Sequence, residues 1–187
     1  MATMTREILS ETLKSLLRKK SLERITVTEL VNVAGVNRQT FYYNFQDIYD
    51  LLEWTIDREA IVAFNEITEY DKWQPWLIDI FTYFQDNKKM ILNVFQPLTR
   101  PVVERYLKES FEPVIDKVVR FYKEKHEETE EISEENLRFI IKTYTLIMIG
   151  LVFEWIDHGM TEKAEDFIRP YIDLLEKSYS FMSEKFV

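Results

Sequence analysis

Cysteine is absent from this chain of 187 residues, and histidine and glycine are scarce, with two and three residues respectively. Without cysteine there are neither disulfide bonds nor thiolate metal sites, which fits a reducing compartment. The alternation typical of strands is weak, whereas apolar residues recur at helical spacing in every segment. We therefore expect an all-α fold, and a hydrophobic content of 46% is ample for a buried core.

Several signals of other protein classes are also missing. The N-terminus is amphipathic and charged, unlike a secretory signal. The longest uncharged apolar run, Thr143 to Phe153, is too short to span a bilayer, so we expect a soluble cytoplasmic protein without a membrane segment. There is no glycine-rich phosphate loop, and neither His126 nor His158 has a nucleophile pattern beside it. We expect no catalytic residue, no metal and no cofactor, and we interpret the glutamate-rich run at 127–131 as a solvated segment.

The stretch from Ile25 to Phe45 predicts two short helices joined by a tight turn. Thr26 followed by Glu29 is a capping-box pattern, which starts a helix near Val27. Gly35 follows the apolar stripe of this helix at the place where a chain often needs a positive φ angle. Asn37 is a suitable N-cap for a second helix, from about Arg38 to Phe45.

The second helix has an outer face suited to DNA. Phe41 and Phe45 would bury one side of it, which leaves polar and aromatic side chains without any acidic residue on its start and outer face. A helix of this size fits the major groove, where Arg and Gln read base edges while hydroxyl groups hold phosphates. The predicted DNA contacts are Thr26, Arg38, Gln39, Thr40, Tyr42 and Tyr43.

These residues resemble the helix-turn-helix of the TetR family of bacterial transcriptional regulators. The match comprises Thr26, Ala34, Gly35, Val36, Thr40, Phe41, Tyr42, Phe45, Leu51 and Leu52. The resemblance covers roughly the first 60 residues and implies a more variable helical ligand-binding and dimerisation domain behind them. Many members carry a lysine that touches a phosphate near the start of the next helix, where this chain has Ile48. Tyr49 or a backbone N–H of the helix N-terminus is the expected substitute.

The net charge of −9 is unevenly distributed along the chain. Residues 5–46 carry seven basic and four acidic side chains, a net charge of +3, while the remainder carries 17 basic and 29 acidic side chains, a net charge of −12. Because DNA phosphates interact with the charges nearest to them, a basic N-terminal segment is compatible with DNA binding even when the rest of the chain is acidic. The basic run Arg18 to Lys20 has two interpretations, phosphate contact or favourable charge at a helix C-terminus.

The rest of the chain predicts a series of longer helices. A first helix from about Thr5 to Lys20 would complete a three-helix head, and Asp47 would cap a helix from Ile48 to Glu69. We predict a helix-turn-helix domain at residues 1–47 and a regulatory and dimerisation domain at 48–187. In the second domain, Pro113 should kink or split one helix, and Pro170 should bend or delay the last one.

Dimerisation and effector control are further expectations. The helix from Ser133 to His158 is apolar on nearly every side, so we expect it and the last helix to form a four-helix bundle with their copies, as the resemblance also implies. A homodimer would read a palindromic operator. The predicted effector pocket is lined by Trp76, Phe84, Phe111, Tyr144 and Met148, although aromatic residues of this kind also simply fill a core.

The resemblance sets the expected function. Most family members are repressors that bind double-stranded operator DNA and are released from it by a small-molecule effector. We therefore expect this chain to be such a repressor, with an effector of unknown identity. The pattern from Trp155 to Met160 resembles a subgroup, the regulators of dihydroxyacetone kinase operons, whose members can respond to a protein co-regulator. The alternatives are therefore an activator controlled by a protein partner, and a helical binding protein without DNA activity.

Overall fold

The computed structural model describes residues 2–66, 73–125 and 132–186. These ranges hold nine α-helices and one 3-10 turn, and no strand, which confirms the all-α prediction. The helices are α1 (Ala2–Leu17), α2 (Val27–Ala34), α3 (Arg38–Asn44), α4 (Ile48–Glu66), α5 (Trp73–Asp86), α6 (Lys88–Phe95), α7 (Arg100–Lys125), α8 (Glu134–Asp157) and α9 (Ala164–Phe186), and the 3-10 turn is Leu22–Arg24.

The chain folds into two compact units. Unit 1 comprises Met1–Ala60 and Asn87–Tyr106, and unit 2 comprises Ile61–Asp86 and Leu107–Val187. The chain passes from one unit to the other within α4, between α5 and α6, and within α7. The predicted functional division after residue 47 stays a prediction, and the packing units differ from it by placing part of α4, α6 and the start of α7 with the N-terminal helices.

Unit 1 is built on the apolar face of α1, which packs against α2, α3 and α6. Leu9 and Leu13 are completely buried, as are Leu30 of α2 and Phe41 of α3. Complete burial of one such side chain is worth about 1.5–3 kcal/mol, so this cluster holds the short helices in place. The side chain of Asn93 on α6 donates to the backbone oxygen of Leu17 at 2.8 Å, which ties α6 to the C-terminus of α1.

Unit 2 is centred on an aromatic cluster of α5, α8 and α9. Trp155 of α8 stacks on Phe167 of α9 with ring centroids 5.5 Å apart and an interplanar angle of 16°. Phe81 of α5 lies 5.3 Å from Trp155 and 5.9 Å from Phe167. The stacked and tilted rings join the three helices into one core.

Two of the effects expected of the prolines are wrong, the split at Pro113 and the late start at Pro170, whereas a kink or bend at either residue stays a prediction. The helix α7 is a single element that runs through Pro113 without being split, and α9 begins at Ala164, six residues before Pro170. Both prolines lie on exposed faces, where water reaches the backbone that loses its hydrogen bond. Buried neighbours such as Phe111 and Ile168 stabilise the helical path and offset that loss.

One helix within the described ranges, α8, is long and apolar enough to cross a membrane, with a mean hydropathy of 1.7. Half of its most apolar stretch is buried inside the protein, as in the core helix of a folded domain. The glutamate-rich run at 127–131 and His126 lie outside the described residues.

Candidate DNA-binding surface

Local hydrogen bonds set the two helices of the predicted DNA-binding motif. The hydroxyl of Thr26 accepts from the backbone N–H of Glu29 at 3.2 Å, and α2 begins one residue after this cap. Gly35 has a φ of 69° and ends α2 in the left-handed region, which favours glycine. The side-chain oxygen of Asn37 accepts from the N–H of Thr40 at 2.7 Å and starts α3. Both predicted caps and the turn are confirmed.

Buried phenylalanines fix which side of α3 faces outward. Phe41 is completely buried and Phe45, which directly follows the helix, is 3% exposed. The Phe45 ring lies 5.9 Å from the ring of Trp54 on α4, in an edge-to-face arrangement. Because α3 has only seven residues, burying one side leaves the rest of its side chains to the outer surface.

The predicted DNA contacts occupy this outer surface. Tyr43 is 84% exposed and Tyr42 is 51% exposed, and Arg38 and Gln39 are also exposed. These four side chains lie together on α3. Thr26 is exposed at the start of α2, and Thr40 is half-buried because it lies closer to the buried side of its helix.

Arg38 is held in position by its neighbours. Its guanidinium donates to the hydroxyl of Tyr42 at 3.2 Å and to that of Thr28 at 3.4 Å. The guanidinium carbon also lies 5.8 Å from the centroid of the Tyr42 ring. A restrained guanidinium loses less conformational freedom when it forms a paired contact, which suits the reading of a base edge.

The basic run after α1 divides between two environments. The ammonium group of Lys20 pairs with the carboxylate of Glu29. The backbone N–H of Glu29 is the one that donates to the hydroxyl of the N-cap residue Thr26. Arg18 and Lys19 are exposed in the turn that follows α1. Lys20 therefore links the end of α1 to α2, whereas Arg18 and Lys19 present their charges to the solvent.

The start of α4 holds Ile48 at the position where the resembling pattern has a lysine. Ile48 is 7% exposed and contributes to the core. The carboxylate of Asp47 accepts from the backbone N–H groups of Tyr49 and Asp50, at 2.8 and 2.9 Å. These two amides are engaged by Asp47, and the phenol of Tyr49 is 47% exposed; a phosphate contact by Tyr49 stays a prediction.

Arg6 is a residue that the sequence analysis counted only as a charge. Its guanidinium donates to the backbone oxygen of Asn44 at 3.5 Å and lies 5.4 Å from the centroid of the Phe45 ring. A cation at the C-terminus of a helix interacts favourably with the helix dipole. Arg6 thereby links α1 to the end of α3 across 38 residues of sequence, and no local spacing signals such a contact.

Unit 2 contains a partly open cavity of about 70 Å³. Four of the five predicted pocket residues line it, Trp76, Phe111, Tyr144 and Met148. Phe84 is not among the lining residues, because it lies about 12 Å beyond Trp76 along α5. The centroid of its ring instead lies 6.4 Å from that of Phe81. The sequence analysis missed the aliphatic part of the wall, which consists of Leu77, Val114, Ile115, Val118, Val119 and Leu175.

The polar end of Tyr144 is paired rather than directed to a ligand. Its hydroxyl lies 3.0 Å from that of Ser178 on α9. Burial raises the pKa of the Tyr144 hydroxyl above its ordinary value, and the hydrogen bond to Ser178 opposes that rise. The phenol therefore stays neutral at ordinary pH. Within the described ranges, no group of three or more His, Cys, Asp or Glu residues is arranged to hold a metal ion.

Comparisons with known proteins match this architecture. Residues 71–177 match the TetR C-terminal family model described as "Transcriptional regulator C-terminal region". The HTH-type dhaKLM operon transcriptional activator DhaS of Lactococcus lactis subsp. lactis (strain IL1403) is 26% identical over 116 residues. This alignment spans 62% of the chain and 61% of the relative, which is less than two thirds of either.

A solved structure shows the same fold. The dihydroxyacetone kinase operon activator DhaS superposes with a TM-score of 0.76 at 22% sequence identity, covering 96% of this chain and 98% of that one. The similarity therefore extends over both units, including the helix-turn-helix that lies outside the region matched by the family model.

Proposed function

We propose, from the premise that this chain belongs to the TetR family of transcriptional regulators, that it binds operator DNA as a homodimer and is controlled by an effector. Members of the family are regulators and not enzymes. The observation that carries the proposal is the outer surface of α3, where an arginine, a glutamine and two tyrosines are exposed together above a buried phenylalanine. The cytoplasm, which holds bacterial DNA, is the proposed location.

The side chains of α3 have different proposed roles. Arg38 and Gln39 read base edges in the major groove, and Tyr42 is shared between a base and the backbone while it positions Arg38. Thr26, Thr40 and Tyr43 hold the duplex through phosphates, which fixes its register without reading sequence.

An apolar stripe on α8 supports the homodimer. Phe139, Leu146 and Ile147 are 55%, 59% and 39% exposed, and their spacing places them on one side of the helix together with Gly150. Apart from its chain neighbours and the backbone of its own helix, a methyl group added to Gly150 would meet no described atom within 4 Å, so packing within the described part of the protomer does not require glycine there. Exposed apolar stripes mark interaction sites, and a second copy of α8 is the proposed partner.

The sign of regulation is proposed from the relatives. The Lactococcus relative is named as a dhaKLM operon transcriptional activator and the solved structure as a dihydroxyacetone kinase operon activator, which favours activation over the repression expected from most family members. Their names also make a dihydroxyacetone kinase operon the first candidate target. Repression released by a small molecule remains the second candidate, and the cavity in unit 2 is the observation that favours small-molecule control.

Footprinting and transcript measurement test these proposals. A footprint of the purified protein on the intergenic DNA upstream of its own gene should show two half-sites. Their centres should be separated by about one helical turn, which is about 10 base pairs, or by a multiple of that distance. Deletion of the gene should lower transcription of the target operon if the protein is an activator and raise it if the protein is a repressor. An unprotected duplex would contradict operator binding.

A further inference from the structure

The cavity in unit 2 has a wall of uniform chemistry. It lies among α5, α7, α8 and α9, and all of the surface that its lining residues present to it is apolar. Tyr144 contributes its ring while its hydroxyl is paired with Ser178. Glu176 is the charged residue at the cavity, and it is exposed to solvent. The indole N–H of the lining residue Trp76 is buried and makes no hydrogen bond among the described residues, but it does not reach the cavity surface, so a molecule inside would meet carbon atoms.

This wall selects for one class of molecule. A hydroxyl group that enters such a cavity gives up its hydrogen bonds to water, which lowers affinity by on the order of tenfold for each group left unpaired. A ring or alkyl chain instead gains from leaving water. The volume of about 70 Å³ is several times the minimum that holds one water molecule, so it has room for one ring or a short chain.

We propose that this cavity is the effector site and that its ligand is a small uncharged apolar molecule, an aromatic ring or a short alkyl chain, rather than a sugar or polyol. The inference rests on the proposed regulatory function and names the chemistry of its effector. If the target is a dihydroxyacetone kinase operon, the effector is then a different molecule from the substrate of that kinase, because a hydroxyl-rich triose does not suit the wall.

Residues of α7 that line the cavity would let a bound ligand affect the shape of this helix. Phe111 and Val114 line the cavity on either side of Pro113, where the helix lacks one backbone hydrogen bond and bends more easily. The same helix runs without a break from Arg100 to Lys125, so it contributes residues to both units. A ligand that favours one bend of α7 would change the equilibrium between DNA-binding states.

Binding is tested on the purified full chain with toluene as the probe and glycerol as the polyol control. Ligand-observed NMR should detect toluene binding and no glycerol binding at equal concentrations. Val118→Phe, which fills the cavity from α7, should weaken toluene binding at least tenfold. Val33→Phe makes the same change at an exposed position of unit 1 and should leave toluene binding unchanged. If Val118→Phe unfolds at a lower temperature, Ile115→Phe replaces it as the filling variant.

A second arm measures the affinity for operator DNA with and without saturating toluene, beside a scrambled duplex. A change of about fivefold or more in operator affinity, lost in Val118→Phe, would support the effector site. Any one of four results would overturn the effector site. These are no toluene binding, toluene binding that Val118→Phe leaves intact, tighter binding of glycerol than of toluene, and an operator affinity that toluene leaves unchanged. Equal binding to operator and scrambled DNA would instead refute the proposed function, while toluene binding to the free protein would still be measurable.

Discussion

Replacing Leu146 by alanine tests the proposed dimer interface. Leu146 is 59% exposed on the apolar stripe of α8, and complete burial of a leucine is worth about 1.5–3 kcal/mol. Burial of the exposed part in a dimer therefore contributes about 1 kcal/mol per copy. Because a two-fold interface contains the residue twice, Leu146→Ala should destabilise the dimer by about 2 kcal/mol, which raises its dissociation constant about 30-fold.

The assay is sedimentation velocity over a dilution series, which gives the monomer and dimer fractions directly. Val33→Ala is the matched control, because Val33 is also 59% exposed but lies on α2. Alanine favours a helix, so neither variant should lower the unfolding temperature of the protomer. A dissociation constant that Leu146→Ala leaves unchanged, or a protein that is monomeric at every concentration, would refute the assignment of this stripe.

Three further predictions concern the proposed DNA-binding surface. Arg38→Ala should reduce discrimination between the operator and single-base variants by about 1–3 kcal/mol at one position, measured by competition binding, and equal losses on all duplexes would contradict base reading. Tyr43→Phe should weaken binding to every duplex by about 1 kcal/mol and leave the salt dependence unchanged, since the substitution removes a hydrogen-bonding hydroxyl and no basic side chain; anisotropy titrations at several salt concentrations check this. Asn37→Ala removes the cap of α3 and should lower the free energy of unfolding by about 1 kcal/mol in urea denaturation, with Asn37→Asp retaining most of the stability.

The local signals of the sequence predicted the caps and the turn of α2 and α3 well. Thr26, Gly35 and Asn37 act within three or four residues along the chain, so their capping and turn roles can be read from spacing. The exposed face of α3 follows from the positions of Phe41 and Phe45 by helical periodicity. Contacts such as the one from Arg6 to the backbone of Asn44 depend on tertiary packing and carry no local signal.

The second unit was harder to predict for the same reason. Pro113 and Pro170 are strong helix breakers locally, but packing of their buried neighbours keeps both helices continuous. The aromatic residues of the cavity were expected, whereas its aliphatic wall was not, since valine and leucine at helical spacing are indistinguishable from ordinary core. Phe84 shares the composition of the pocket residues but lies further along α5, a difference that only the fold reveals.

The most direct measurement is a titration of the purified protein against its own upstream intergenic DNA, with a scrambled duplex of equal length as control and several salt concentrations. We expect binding to the operator to be at least 1,000-fold tighter, roughly the lower limit for specific regulators, and the affinity to fall steeply as the salt concentration rises. Equal affinity for both duplexes at every salt concentration would contradict the claim that the surface of α3 reads a DNA sequence.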